Sequence, residues 1–540
     1  VTETGGHTHI VVGAGAAGCV LAARLSANPD LRVLVIEAGA DPRFDPMLKV
    51  PMMSAILLRG RRHTERFRSK EEPGLGGRRV DLPRGVVVGG STAINGMVYV
   101  RGLPRDYDGW AQAGMPRWSW EKVRPLFLKS ERFAGPGDPE GHGQDGPLGV
   151  SRPPVVPSPL SDAFLEAGLA AGYPACADFN APDAEGFGRY HFTIRQGRRE
   201  SAATAFLDPV RARSNLTVLS GVSVRRVRVE AGRAVGVDVS GPAGGATYHA
   251  SEEIVLCGGA FGSPALLMRS GIGPAYHLRA VGVEVVADRP GVGENLHDHV
   301  LIRVGHEAPP EATLHGLTRA DRAGLAFLRA WLLGTGPMSI FPLEAGAYLR
   351  GPGADGPNLQ SHFLPALTSA TVRFNPFAPP PNLRAGFMAN ASIMRPASRG
   401  RLRLTGAGPG DPLDLRFNYL SDPRDIDQLV DGVEILRDVF SRKPFDPYRR
   451  REVGPGEAVR GRRAIADWVR QTADTVHHAC GTCRMGTDPG AVVDPELRVR
   501  GIERLRVADA SVFPSIPSTN TAAPTIMVAE RAAELMSGGE

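Results

Sequence analysis

No stretch of this sequence is both long and apolar enough to cross a bilayer. The longest apolar runs are the length of β-strands, well short of the ~18 residues a spanning helix needs. Cysteine is scarce: Cys19, Cys176, Cys257, Cys480 and Cys483 are the only five. A sparse, odd count excludes a disulfide-framed fold and suits a reducing compartment. The N-terminus lacks the basic, apolar and small-residue order of a secretory leader, so a cytoplasmic location is expected. Internal repeats are absent. So are helix-turn-helix, zinc-finger and RNP patterns, and the net charge of +6 is therefore not read as a nucleic-acid surface. The densest basic run, Arg59, Arg61, Arg62, Arg66, Arg68 and Lys70, is expected to be a solvated loop.

What is present is ordinary for a globular protein, 42% hydrophobic and 22% charged residues over 540 positions, a length that predicts two lobes. The chain opens with an apolar strand (9–12), a glycine turn, a small-residue helix (16–26) and a second strand (32–36) that ends at Glu37. This order starts a doubly wound α/β sheet. Residues 216–256 read as successive strands, with strict alternation at Val235, Val237 and Val239. Strand-like 401–404, helix-like 425–440 and a closing helix over 524–536 follow. The Gly- and Pro-rich stretch 135–160 is expected to cross the surface between lobes, and the proline run Pro376 to Pro381 to form a loop near an entrance.

Gly13, Gly15 and Gly18 form G-x-G-x-x-G between strand and helix. The first glycine makes the tight turn, the second admits a pyrophosphate against the backbone, and the third lets helix and strand pack closely. Glu37 is placed to accept from both hydroxyls of an adenosine ribose and to repel a 2′-phosphate. The loop alone leaves NAD and FAD open.

Three further segments narrow the choice. One runs Val88-Gly89-Gly90-Ser91-Thr92-Ala93-Ile94-Asn95-Gly96-Met97, with Arg101-Gly102 and Asp106-Tyr107-Asp108-Gly109-Trp110 after it. Another is Gly258-Gly259-Ala260, with Ser263-Pro264 and Ser270-Gly271-Ile272-Gly273-Pro274. The last joins His478, Gly481-Thr482-Cys483-Arg484-Met485-Gly486, Asp509-Ala510-Ser511, Asn520 and Pro524. In this order the four segments resemble the glucose–methanol–choline (GMC) oxidoreductases, and among them bacterial alcohol oxidases and choline dehydrogenases.

The resemblance implies a Rossmann-like FAD-binding domain, discontinuous over 1–155, 205–305 and 475–540, and a mixed-sheet α+β substrate domain over 156–204 and 306–474. It implies His478 as the base that takes an alcohol proton, with Asn520 orienting the substrate oxygen. Cofactor contacts are implied for Gly13, Gly15, Ala16, Ala17 and Gly18, for Glu37 and Ala38, for Gly90, Ser91, Asn95, Gly96 and Met97, and for Val222, Gly259, Asp509, Ala510, Asn520 and Thr521. Ile94 stands where some relatives carry the histidine that attaches FAD covalently, so FAD is expected to be non-covalent. Partners are then a small alcohol and O2 or another acceptor. His477, adjacent to His478 on what reads as an extended segment, is expected to point away from it. His477, His478, Cys480 and Cys483 are close in sequence, but no metal is expected, because His478 is better used as a base and the thiols read as small buried residues. Trp331, Phe341, Phe363, Phe374 and Phe377 are candidates for a pocket wall, most of them expected to be core.

Overall fold

The computed structural model describes residues 2–135, 141–152, 158–367 and 384–538, without the side chains of residues 2–5. Pro376 to Pro381, Phe374 and Phe377 lie outside the described residues.

Two sheets organise the chain. The first has seven strands, drawn from three distant parts of the sequence. Thr2–Val12 sits between Val33–Glu37 and Gly244–Leu256, parallel to both; Leu216–Ser220 extends one side, and Leu505–Val507 pairs parallel with Gly244–Leu256. Arg233–Gly241 and Ser223–Glu230 complete it as an antiparallel edge. Every residue of Val33–Glu37 is buried, as expected for a parallel strand covered on both faces. Helix Ala16–Leu25 covers one face and packs against the last helix, Ala522–Met536. The tie between them is the buried Glu530, which accepts from Arg24 at 2.7 and 2.9 Å and from Ser130 at 2.9 Å.

The second sheet has eight strands, with Val300–Glu307, Gly386–Ile393, Leu359–Leu364 and Ala345–Leu349 antiparallel at its centre. Helix Pro423–Ser441 lies across it, started by Asp422, whose side chain accepts from the Arg424 N–H at 2.9 Å. The expected boundary at 305 falls inside Val300–Glu307, which belongs wholly to this second sheet.

Three local expectations are corrected. Within 135–160, residues 148–151 form a strand paired with Glu131–Ala134, and His142 is buried rather than on a surface crossing. The reason is electrostatic: His142 bridges Glu131 and Asp178 at 2.8 Å each, beside the buried pair of Arg101 and Glu131. The arginine-rich segment is not a loop but a hairpin, Thr64–Arg68 against Asp81–Gly85. Its arginines remain outside, paired with Asp81 and Asp45, while Phe67 turns in against Phe261 at 5.1 Å. The last helix starts two residues early, at Ala522, which leaves Pro524 in the first turn, where a missing N–H costs nothing.

Candidate functional site

The dinucleotide loop closes as its glycines require. Gly13 adopts φ +104°, and a Cβ there would stand 2.6 Å from the Cys257 carbonyl oxygen; at Gly18 it would stand 1.8 Å from the Gly13 carbonyl oxygen. Ala16 and Ala17 open the helix. Gly90, at φ +53°, brings the second glycine loop against the first: a Cβ on it would lie 2.6 Å from the Gly15 Cα. Glu37 is buried, and its two oxygens each accept one backbone N–H, from Ala14 and Gly39, both at 2.8 Å. A carboxylate has room for about four such bonds, so both oxygens keep capacity for a ribose. Burial raises its pKa, and the two N–H groups oppose the rise. Ala38, next to it, is exposed. Val222 follows the adjacent strand, and its N–H is already given to the Glu37 carbonyl at 3.0 Å, leaving its own carbonyl for an adenine.

The resemblance implies a cofactor contact for Asp509. Its buried carboxylate does something else as well: it accepts from the N–H groups of Ser511 and Gly259 at 2.8 Å and from the Ser263 hydroxyl at 2.6 Å. It thereby pins the start of helix Gly259–Arg269 beside Ala510.

At the other end, one small cavity is lined by Thr92, Asn95, Glu200, Ala202, Ala522 and Ala523. The first N–H groups of the last helix, from Ala522 and Ala523, have no partner within a helix, and with Thr521 at its cap they put the positive end of a helix dipole at this cavity. Asn95 accepts through its side chain from the Met97 N–H at 3.1 Å and from Arg199 at 2.9 Å. Met97 holds φ +62° without being glycine. Gly96 sits where a Cβ would reach the Phe341 ring at 3.3 Å, and Ser91 accepts from the Gly85 N–H at 3.2 Å. Of the three aromatic candidates inside the described residues, Phe341 alone meets this loop; Phe363 stacks on Phe164 in the core, and Trp331 is exposed. The two facing glycine loops, the buried Glu37 and the open helix end form a cradle that fits an extended dinucleotide such as FAD.

His478 is placed by a bulge. Val300 pairs with Thr475, and His297 bridges Cys480, so two residues on one side face four on the other. The surplus is taken up at His477, which adopts φ +67°. This overturns the extended reading of His477: the left-handed turn re-aims the next side chain, His478, toward His299. The His477 carbonyl accepts from Arg84 at 2.6 Å, and burial pushes its imidazole down to about 4.

The hydrogen bonds then assign the tautomers. His299 Nε2 lies 2.9 Å from the Met394 carbonyl oxygen, which can only accept, so Nε2 carries the hydrogen. His299 Nδ1 is left as an acceptor, and it faces His478 Nδ1 at 2.9 Å; that atom must donate. His478 Nε2 is therefore bare, and the Asn520 amide donates to it at 3.2 Å. The Asn520 carbonyl accepts from Gln360 at 3.2 Å. Burial, with His299, His362, His477 and Arg84 around it, holds His478 well below the usual histidine range, and burial pushes His299 and His362 down to about 4. All three rings are neutral at physiological pH. The His478 N–H donates to the buried Asp298 at 2.7 Å, which also accepts from Tyr419 at 2.7 Å and from Thr475.

The motif Asp106–Trp110 holds the other partner. Asp106 accepts from the Ser518 N–H and hydroxyl at 2.9 and 2.6 Å, and Trp110 donates to Ser515 at 2.9 Å, which fixes the loop that carries Asn520. Cys480 and Cys483 are buried thiols pushed well up by burial. Among the described residues the grouping with metal-ligand spacing is elsewhere, at His142, Asp178 and His191. Sequence reasoning misses His299, Arg84, Arg199, Gln360 and His362. The run Asn295-Leu296-His297-Asp298-His299, polar residues leading straight into a buried strand, is the one signal that points to any of them.

Comparison with known proteins gives the family. The GMC oxidoreductase family model matches residues 7–301 in its N-terminal part and 396–529 in its C-terminal part. An oxygen-dependent choline dehydrogenase of Chromohalobacter salexigens is 40% identical over 98% of this chain and 95% of its own. The crystal structure of pyridoxine 4-oxidase from Mesorbium loti superposes with a TM-score of 0.88 at 35% identity, over 99% of this chain and 100% of that one. An FAD-dependent oxidoreductase from Chaetomium thermophilum gives 0.86 at 27% identity, over 99% of both chains. With matches that span nearly its full length, glycine loops, buried histidines and tail alike, the chain belongs to the GMC oxidoreductase family.

Proposed function

We propose that this protein is an FAD-dependent alcohol oxidase that converts a primary alcohol, aromatic or heteroaromatic, to its aldehyde and passes the electrons to O2 to give H2O2. The observation that carries the reading is the bare Nε2 of His478 beside the Asn520 amide. His478 takes the hydroxyl proton at Nε2, and Asn520 orients the alcohol oxygen. His299 holds the Nδ1 hydrogen of His478 and shares the positive charge that proton transfer creates. Bound FAD supplies the hydride acceptor at its N5. It would be held by the Gly13–Gly18 loop, Glu37, the Gly90–Met97 segment, Val222, Gly259, Asp509–Ala510 and Asn520–Thr521, in the discontinuous cofactor domain set out above with its middle segment ending before Val300. With isoleucine at 94, FAD is non-covalent: acid precipitation is expected to leave all yellow colour in the supernatant, and colour retained in the pellet would refute this.

The choline reading has less support. A quaternary ammonium needs a carboxylate or an aromatic cage. Of the groups hydrogen-bonded to His478, namely His299, Asn520 and Asp298, only Asp298 is a carboxylate, and it is committed to three donors.

The test is anaerobic titration of the flavin with a panel of primary alcohols, followed by air. Bleaching by benzylic or heteroaromatic alcohols with rapid recovery is expected. Slow recovery would replace the oxidase reading with a dehydrogenase one, and bleaching by choline alone would overturn the substrate class. His299→Ala is expected to slow flavin reduction on the order of 10-fold by releasing the His478 tautomer. An unchanged rate would remove His299 from the reaction.

A further inference from the structure

A second cavity, of about 370 Å³, lies between the end of helix Ala16–Leu25 and the segment 204–213. It shares no lining residue with the small cavity at Asn95 and Ala522. Its floor is apolar, made by Ala23, Pro147, Ala205, Phe206 and Val210, and its rim carries Arg24, Arg132, Arg195 and Arg213. No acidic residue is among its described lining residues.

The partners of these arginines show how much charge is left over. Arg24 is neutralised by Glu530, and Arg195 by Glu200 at 2.8 Å. Arg213 donates to the Ala23 carbonyl at 2.8 Å and the Ser26 hydroxyl at 2.9 Å, neither of which carries charge. Arg132 lies on an exposed position of the strand Glu131–Ala134, opposite in direction to the buried Glu131. Its charge acts on Glu200, the carboxylate that Arg195 also uses. Among the described residues, two of the four guanidinium groups thus pair with a carboxylate, around an apolar floor.

One wall is a π-helical turn, Ala203–Leu207, a strained form found often at binding sites. Just before it, the Ala202 N–H donates to the Thr92 hydroxyl at 3.0 Å, so the wall has the glycine loop on one side and this cavity on the other.

We propose that this cavity is a second ligand site, separate from the alcohol and cofactor sites, for a small amphipathic anion: an aromatic or alkyl group bearing a phosphate, carboxylate or sulfonate. The volume lies in the range of small-molecule pockets. The floor takes the apolar body, and guanidinium forks pair with planar or tetrahedral oxyanions.

Isothermal titration calorimetry of the flavin-loaded protein with phenyl phosphate tests this. Saturable one-to-one binding with a Kd of about 1 mM or tighter is expected, with inorganic phosphate and anisole each at least about 10-fold weaker, because each lacks half of the ligand. Arg132→Glu, on an exposed side chain, is expected to weaken phenyl phosphate at least about 10-fold while flavin content and Tm stay unchanged. Absence of saturable binding overturns the proposal. So does binding that Arg132→Glu leaves intact, which would put the anion elsewhere, and so does equal binding of inorganic phosphate, which would make the floor irrelevant.

Discussion

His478→Ala is expected to slow flavin reduction by an alcohol at least ~10²-fold while the purified protein stays yellow. The two halves of the result have separate causes. Activity falls because the substitution removes the bare Nε2 that faces Asn520. The fold survives because the bond from position 478 to Asp298 is made by the backbone N–H, which alanine keeps. The cofactor cradle is built from Gly13–Gly18, Glu37 and Gly90, whose close approaches are to one another and not to the imidazole. Anaerobic stopped-flow reduction checks the rate, and the flavin-to-protein absorbance ratio checks the retention. A near wild-type rate would eliminate His478 as the base. Loss of colour would mean that the ring supports the cofactor.

Glu131→Ala is expected to cost about 3–5 kcal/mol, the range for breaking a buried ion pair from one side. Arg101 and Glu131 are 1% and 0% exposed, and His142 stands against both carboxylates of the cluster. Without Glu131 the buried Arg101 would lose its carboxylate, and His142 would keep only Asp178. A shift of the denaturation midpoint measures the loss, and a shift below about 1 kcal/mol would show that the site takes up water or drops a proton instead. The same cluster gives the protein a pH signature. Burial alone would lower the His142 pKa, but the hydrogen bonds it donates to Asp178 and Glu131 raise it to about 9, against 6.5 for an ordinary histidine. A raised pKa contributes stability that is complete below about pH 6.5 and is lost as pH rises through about 9. His142→Gln is therefore expected to flatten the stability-against-pH curve across that window, and an unchanged slope would assign it to other groups.

The sequence reveals most of the nucleotide half because its rules are local. Gly13 and Gly18 are demanded by contacts a few residues away or by one neighbouring strand, and the alternation at 235–239 is visible residue by residue. The histidine site is different. His478 is recognisable through its motif, but its tautomer depends on His299, 179 positions earlier, and on a bulge that no local pattern marks. His477 is misread for that reason: a left-handed φ on a non-glycine residue is imposed by the pairings at Thr475 and Cys480, not by its neighbours. Glu131 and His142 sit in or beside a Gly- and Pro-rich stretch whose composition suggests surface, and only the partners Arg101 and Asp178 explain their burial.

The first sheet joins Thr2–Val12 to Leu505–Val507 through Gly244–Leu256, and the first helix rests on Ala522–Met536 through Arg24 and Glu530. A ribosome therefore makes the glycine loop long before the surfaces that complete the loop's surroundings. During synthesis the strand at 2–12 must wait for more than two hundred residues before Gly244–Leu256 can pair with it, and for about five hundred before the closing helix arrives. A chain cut short before residue 522 lacks both the helix over Arg24 and the donors of Ala522 and Ala523. The nascent protein therefore cannot complete its nucleotide cradle before that last helix has emerged.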